Sequence, residues 1–432
     1  MRGLVRSGRS WLQANAVLRS MLGVGSATVL SQVIALAISP VLSRLYPPAV
    51  FGAFGVFLAF ANIVATICLA GLSDAVIAAR EDDDALMVAR LGAWLLALLL
   101  LPALLFSLVA IRLGWLGLGA LPKWSLWLLM AEVIVLTATS YYQALLVRKR
   151  RFKRLSQAYL LNGGGRAGAQ LLGGLAAMGL AGMAAGEIVG RSLSLGMMHG
   201  ALRGQFSHAR TFTPAQLLGA VRRYRHFPLA RMPSAVLSAI AVGAPQLMVA
   251  SLYGAKPAGA YALVALVLTA PLALVQRTVG DVFLGHFGHR FRTDHAAAMR
   301  LLWQTVGALA LAAALMSGVL LAIGPRLFAL FFGAQWAVAG AMAQAALPMV
   351  FAQLAVLPVS AAINVANRPE VKLFFDISYL GALFAVLTIA HAALPPPITF
   401  VLWMSGGVGA ATAFFFVLVL WACYRPRAVQ PH

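Results

Sequence analysis

Ionisable side chains stand inside stretches that are otherwise apolar: Glu132, Arg166, Glu187, Arg191, Arg231, Arg277, Asp281 and Asp376, with Arg44 and Asp74 near the ends of such stretches. Each costs at least about 2.5–3.5 kcal/mol at the centre of a bilayer, so its presence points to a cavity, a partner or a pathway. Two pairs, Glu187/Arg191 and Arg277/Asp281, have i,i+4 spacing, which puts both members on one helix face. Mutual neutralisation is the favoured reading of Glu187/Arg191, with Arg191 kept among the ligand candidates. Arg231 differs, because it lies between Pro228 and Pro233 and has no acidic helical neighbour. A guanidinium matches phosphate oxygens bidentately. Arg231 is therefore the leading candidate for contact with a phosphate-bearing ligand, the alternative being that it snorkels to headgroups.

The other candidates divide by chemistry. Arg44 closes the first apolar stretch, where it serves either a ligand phosphate or interfacial anchoring. Arg166 follows Asn162-Gly163-Gly164-Gly165, glycines that let a helix or a lipid approach closely. Asn364 and Asn367 are expected to line a cleft or to end a helix before Pro369. Asp74 and Asp281 read as caps or gates, and Glu132 and Asp376 as sites that would serve ion coupling. The run Glu81-Asp82-Asp83-Asp84 reads as a solvated loop, since four consecutive carboxylates cannot all face one ion. His286, His289 and His295 lack Cys partners and i,i+4 spacing, so no metal site is expected. Two cysteines in apolar surroundings, Cys68 and Cys423, suggest neither a disulfide framework nor a thiolate site. No catalytic residue and no cofactor are expected, and no GxxxxGK[ST] phosphate loop is present.

The elements that must position these residues follow from composition. Of 432 residues 62% are hydrophobic and 10% charged, with a mean hydropathy of +0.88, which excludes a soluble globular enzyme. A span needs roughly 20 apolar residues, and twelve such runs are expected near 21–43, 51–79, 91–111, 124–147, 155–179, 181–199, 228–252, 258–284, 299–323, 337–364, 371–393 and 398–423. The net charge of +22 then reports topology rather than a nucleic-acid partner. With the N-terminus inside, 24 of the 33 Lys and Arg residues fall in cytoplasmic loops and five in the opposite loops, which predicts both termini in the cytoplasm. The run Arg148–Arg154 is expected to anchor on anionic lipid. No loop exceeds about 30 residues, so function is expected within the helices. The basic N-terminus carries no small-residue cleavage pattern and is expected to be retained.

The two halves repeat. An offset of 207 residues aligns Leu45-Tyr46 with Leu252-Tyr253, Gly52-Ala53-Phe54 with Gly259-Ala260-Tyr261, and Asp74 with Asp281. Six spans per half make the repeats parallel, related by an axis along the membrane normal. The predicted fold class is thus an all-α polytopic membrane protein of about twelve transmembrane helices, in two six-helix lobes around a central cleft. The lobes are expected at 1–204 and 226–432, joined by a basic cytoplasmic loop at 205–225.

Three segments resemble the polysaccharide or O-antigen flippases, the Wzx-type family of the multidrug/oligosaccharidyl-lipid/polysaccharide exporter superfamily. They are Leu45-Tyr46-Pro47-Pro48-Ala49-Val50-Phe51-Gly52 with the acidic run after it, the stretch 141–174 with its basic loop, and Ile363-Asn364-Val365-Ala366-Asn367-Arg368. The resemblance implies transport of undecaprenyl-diphosphate-linked oligosaccharide to the periplasmic leaflet of the inner membrane, for O-antigen, capsule or exopolysaccharide synthesis. It also implies anionic lipids, a polysaccharide polymerase and chain-length machinery as partners, and places the span of Arg277 beside the cleft. Two alternatives stand beside it: a drug or cation antiporter of the same superfamily, which the mainly cationic candidates disfavour, and a polymerase- or ligase-type membrane enzyme, which the short periplasmic loops disfavour.

Overall fold

The computed structural model describes residues 25–206, 219, 222–368 and 370–425, apart from the side chains of 204–206, Ala230 and Arg277. The regular structure of the described residues is all helical. Helix α1 (Gly25–Leu45) leads to α2 (Pro48–Leu69), which starts on proline, whose fixed φ suits a first helical turn. Left-handed Ala70 and Gly71 (φ 48° and 67°) then break the chain before the short α3 (Leu72–Ala78). Helix α4 (Asp82–Leu113) opens with Asp82, Asp83 and Asp84. The acidic run expected as a loop is thus a first helical turn, where carboxylates meet the positive end of the helix dipole.

Helices α5 (Ser125–Arg148), α6 (Phe152–Leu175) and α7 (Leu180–Phe206) complete the first half. The second half runs through α8 (His226–Tyr253), α9 (Ala255–Thr293) and α10 (His295–Phe332). Asp294 caps α10 by accepting from the Ala297 amide at 2.9 Å. The tenth expected span is not one rod. Around Pro348 and Pro358, each lacking the amide that a helix interior needs, it divides into α11 (Ala337–Ala345), α12 (Leu347–Val356), a 3₁₀ turn at Leu357–Val359 and α13 (Ala362–Val365). Helices α14 (Glu370–Ala393) and α15 (Pro397–Tyr424) end the described chain.

Among the described residues, ten segments are long and apolar enough to cross a membrane. The expected fifth and sixth spans, α6 and α7, are helices of 24 and 27 residues whose glycines and charges, Arg166, Glu187 and Arg191, lower their apolar content. Packing divides the chain into two units. One holds the chain to Leu45 with Phe60–Leu113 and Pro122–Ala239; the other holds Tyr46–Ala59, Gly114–Leu121 and everything from Ile240. The expected interlobe loop at 205–225 falls largely on residues outside those described. The first unit has its core where α3, α4, α5 and α6 bury Val76, Val88, Leu146 and Ala158. The second has one where α9, α10 and α15 bury Phe287, Leu302 and Val419.

Inside the second unit the repeat becomes visible as a seam. A Cβ on Gly52 would lie 1.9 Å from the Ala255 carbonyl oxygen, and one on Gly259 would lie 1.7 Å from that of Pro48. Gly52 and Gly259 are 207 residues apart, and so are Pro48 and Ala255. Reciprocal contact between equivalent positions is what a two-fold relation requires. Glycine is needed on both sides because the α2 and α9 backbones touch. Gln246 closes the seam, its Nε2 donating to the Ala258 carbonyl at 3.1 Å and lying 3.4 Å from that of Gly52.

Candidate functional site

Four of the charges singled out in the sequence meet in the first unit. The meeting depends on glycine. A Cβ on Gly186 would lie 2.4 Å from the Gln170 side chain and one on Gly190 2.6 Å from the Asn162 carbonyl oxygen. Glycines four residues apart on α7 therefore bring the α6 backbone into contact, which sets Arg166 across from Glu187. Gly163 does the same toward α1, its Cβ position 2.3 Å from Ser31 Oγ.

Arg191 is the hub. Its Nη2 lies 2.9 Å from Glu187 Oε1, its Nε donates to the same oxygen at 3.0 Å, and that Nε is also 2.7 Å from Glu132 Oε1 on α5. Arg166 Nη1 donates to Glu187 Oε2 at 3.4 Å. Exposure grades outward, the side chains of Glu132, Glu187, Arg191 and Arg166 being 0, 2, 17 and 27% accessible. Glu132 makes its ion pair outside hydrogen-bond geometry, and neither of its carboxylate oxygens has a hydrogen-bond partner among the described residues. Two carboxylates and two guanidiniums leave the lattice neutral overall, a condition for keeping charge in an apolar setting. The i,i+4 pair was visible in the sequence; its union with Glu132 and Arg166 was not.

The remaining candidates are dispersed. Arg231 is exposed on α8, with Nη1 4.0 Å from Asp74 Oδ2 on α3. It has an acidic neighbour through the fold, although none along its own helix. Both side chains are more than half exposed, and such a pair contributes little. The side chain of Arg277 on α9 lies outside the described ones. Asp281, one turn further on, is exposed and lines an open cavity with His286, His289 and Arg290. Arg44 is exposed near the end of α1 and Asn364 on α13. Asn367 takes a left-handed φ of 55° after α13, a conformation asparagine tolerates, which matches the helix-ending reading. Asp376 is buried and accepts from Lys372 Nζ at 3.1 and 3.0 Å, a second i,i+4 pair that sequence reasoning passed over.

The acidic first turn of α4 also acquires partners. Arg148 Nε donates to Asp82 at 3.1 Å, Lys149 pairs with the same carboxylate, and Asp84 lies 3.3 Å from Arg223 and receives the Tyr224 hydroxyl at 3.4 Å. Arg148 further donates to the Ile77 carbonyl at 3.2 Å. Consecutive charges that looked solvated thus tie three segments of the first unit together.

Long apolar helices in two units, a parallel repeat and a charged lattice inside one of them define a polytopic membrane protein of the class to which transporters belong. The chain belongs to the family described as polysaccharide biosynthesis protein, whose model matches residues 41–341. Its fold is shared with solved structures at low identity. The structure described as lipid II flippase MurJ in an inward closed conformation matches with a TM-score of 0.71 at 12% identity, over 91% of this chain and 86% of that one. An inward-facing multidrug resistance MATE family transporter of the MOP superfamily matches with a TM-score of 0.62 at 14% identity, over 91% and 94%. An outward-facing structure described in the same terms gives 0.53 at 14% identity, over 94% and 95%. No curated protein sequence was found to match.

Proposed function

We propose that the protein is a flippase, not an enzyme, that moves undecaprenyl-diphosphate-linked oligosaccharide repeat units across the bacterial inner membrane for O-antigen, capsule or exopolysaccharide synthesis. The observation that carries this reading is Arg166: the most exposed member of a buried ionic lattice, with one long bond made and further donors to offer a diphosphate. Membership in a polysaccharide biosynthesis family and a fold shared with a lipid II flippase support it.

In this proposal both termini are cytoplasmic, the lobes at 1–204 and 226–432 expose the substrate alternately to the two membrane faces, and the loop 205–225 joins them. Arg44, Arg166, Arg231 and Arg277 contact the diphosphate and Asn364 the saccharide. Arg191 holds the lattice that presents Arg166. Asp74 and Asp281 gate the path, and Glu132 and Asp376 serve ion coupling. A polysaccharide polymerase and chain-length machinery act on the delivered substrate.

The test is deletion of the gene in its host, with lipid-linked oligosaccharide quantified on each leaflet together with surface polysaccharide. Accumulation inside with loss outside, restored by the wild-type gene and not by Arg166→Ala, is the expected result. Normal delivery of lipid-linked units in the deletion strain would refute the proposal.

A further inference from the structure

Resting on the flippase reading, we infer that capture of an anionic diphosphate headgroup by Arg166 is coupled to uptake of one proton by the Glu187/Glu132 carboxylate pair. The lattice is neutral only while Arg166 stays on Glu187. Arg191 already serves both carboxylates, its Nε 2.7 Å from one and 3.0 Å from the other. Glu132 Oε2 has no hydrogen-bond partner among the described residues. Glu187 Oε2 has Arg166 alone, at 3.4 Å, the longest contact of the set.

A diphosphate offers a guanidinium paired acceptors at shorter range, and Arg166 is the member with the most exposure, 27% against 17% or less. Drawing Arg166 onto the ligand leaves Glu187 Oε2 as bare as Glu132 Oε2. One guanidinium then faces two buried carboxylates, with the negative charge of the ligand added beside them. Both changes disfavour the doubly ionised state. A proton from water forms an O–H bond on one carboxylate oxygen and returns to water when the ligand leaves and Arg166 swings back.

Further along the same two helices, Tyr142 of α5 and His199 of α7 are hydrogen-bonded to each other at 2.8 Å. The charged groups acting on Glu132 are Arg191, Glu187 and Arg166. Helix α1, which meets α6 where Ser31 faces Gly163, carries only Arg44, near its far end. Arg148 lies four turns along α5 from Glu132, engaged with Asp82.

The experiment is calorimetric titration of the detergent-purified full chain with geranylgeranyl diphosphate near neutral pH, in two buffers of different ionisation enthalpy. The enthalpy difference reports protons exchanged. About one proton taken up per diphosphate is expected, with affinity falling toward tenfold per pH unit where that proton exchanges. Glu187→Gln is expected to remove the uptake and flatten the pH slope; Glu132→Gln serves if that variant does not fold. Diphosphate binding by the wild type without proton uptake would overturn this inference and leave the flippase reading standing. Uptake that survives both substitutions belongs to the diphosphate itself and would overturn it too. Failure of the diphosphate to bind at any pH would overturn both.

Discussion

The last three spans of each half are laid out alike and held by different chemistry. In the first half α7 packs against α5 and α6; in the second α15 packs against α12 and α14. The first set is joined through Glu132, Arg166, Glu187 and Arg191. Helix α15 carries no charged residue at all. Its joints are Phe375 stacked on Phe415 at a centroid distance of 4.3 Å, Gly409 seated against the Pro348 carbonyl, and the Ser405 hydroxyl donating to the Ala345 carbonyl. The joints of α15 therefore form without ions between helices, the buried Asp376 on α14 being paired with Lys372 of its own helix. The ions of the first half exceed what the packing requires, and transport chemistry is the reason proposed for their presence.

The sharpest way to break this comparison is Arg191→Ala. It leaves buried Glu132 without its ion-pair partner and Glu187 with Arg166 alone, and losing one partner of a buried pair costs about 3–5 kcal/mol. A collapse of thermal stability in detergent is expected; a wild-type melting profile would show that the lattice is not ionised as described. Next come Gly52→Ala and Gly259→Ala, in which a new methyl meets backbone oxygen at 1.9 and 1.7 Å. Each is expected to destabilise by about 1–3 kcal/mol, and the two losses should be similar if the seam is two-fold. Unequal losses in denaturant titration would weaken the repeat. Ser405→Ala tests the uncharged helix α15: about 1 kcal/mol lost with one hydrogen bond, and transport of lipid-linked saccharide retained. The smallest effect belongs to Asp82→Asn. Its side chain is 56% exposed, so about 0.5 kcal/mol or less is expected, together with export that depends little on salt.

Hydropathy and charge placement made most of the helices legible, because a span announces itself through some twenty residues of one character. The tenth span was the exception in form. Its composition is apolar, yet Pro348 and Pro358 divide it into short helices and a turn, and hydropathy does not weigh a missing amide. For the site, the i,i+4 rule exposed Glu187/Arg191 but assigned Glu132 and Arg166 to separate roles. Nothing local tells that a glycine at 190 lets α6 come close enough for Arg166 to reach Glu187. Arg231 shows the reverse error. No acidic residue lies within a turn of it on its own helix, while Asp74 approaches it from α3.

What the sequence determined alone is what depends on composition and periodicity: a polytopic helical membrane protein, its duplicated halves, and the residues whose charge is out of place in lipid. Only the tertiary structure decided which of those charges neutralise one another, which retains exposure, and where equivalent glycines touch. These are matters of distance between helices remote in the chain. A few glycines set that distance, and their effect appears only when the partner backbone is there to meet them.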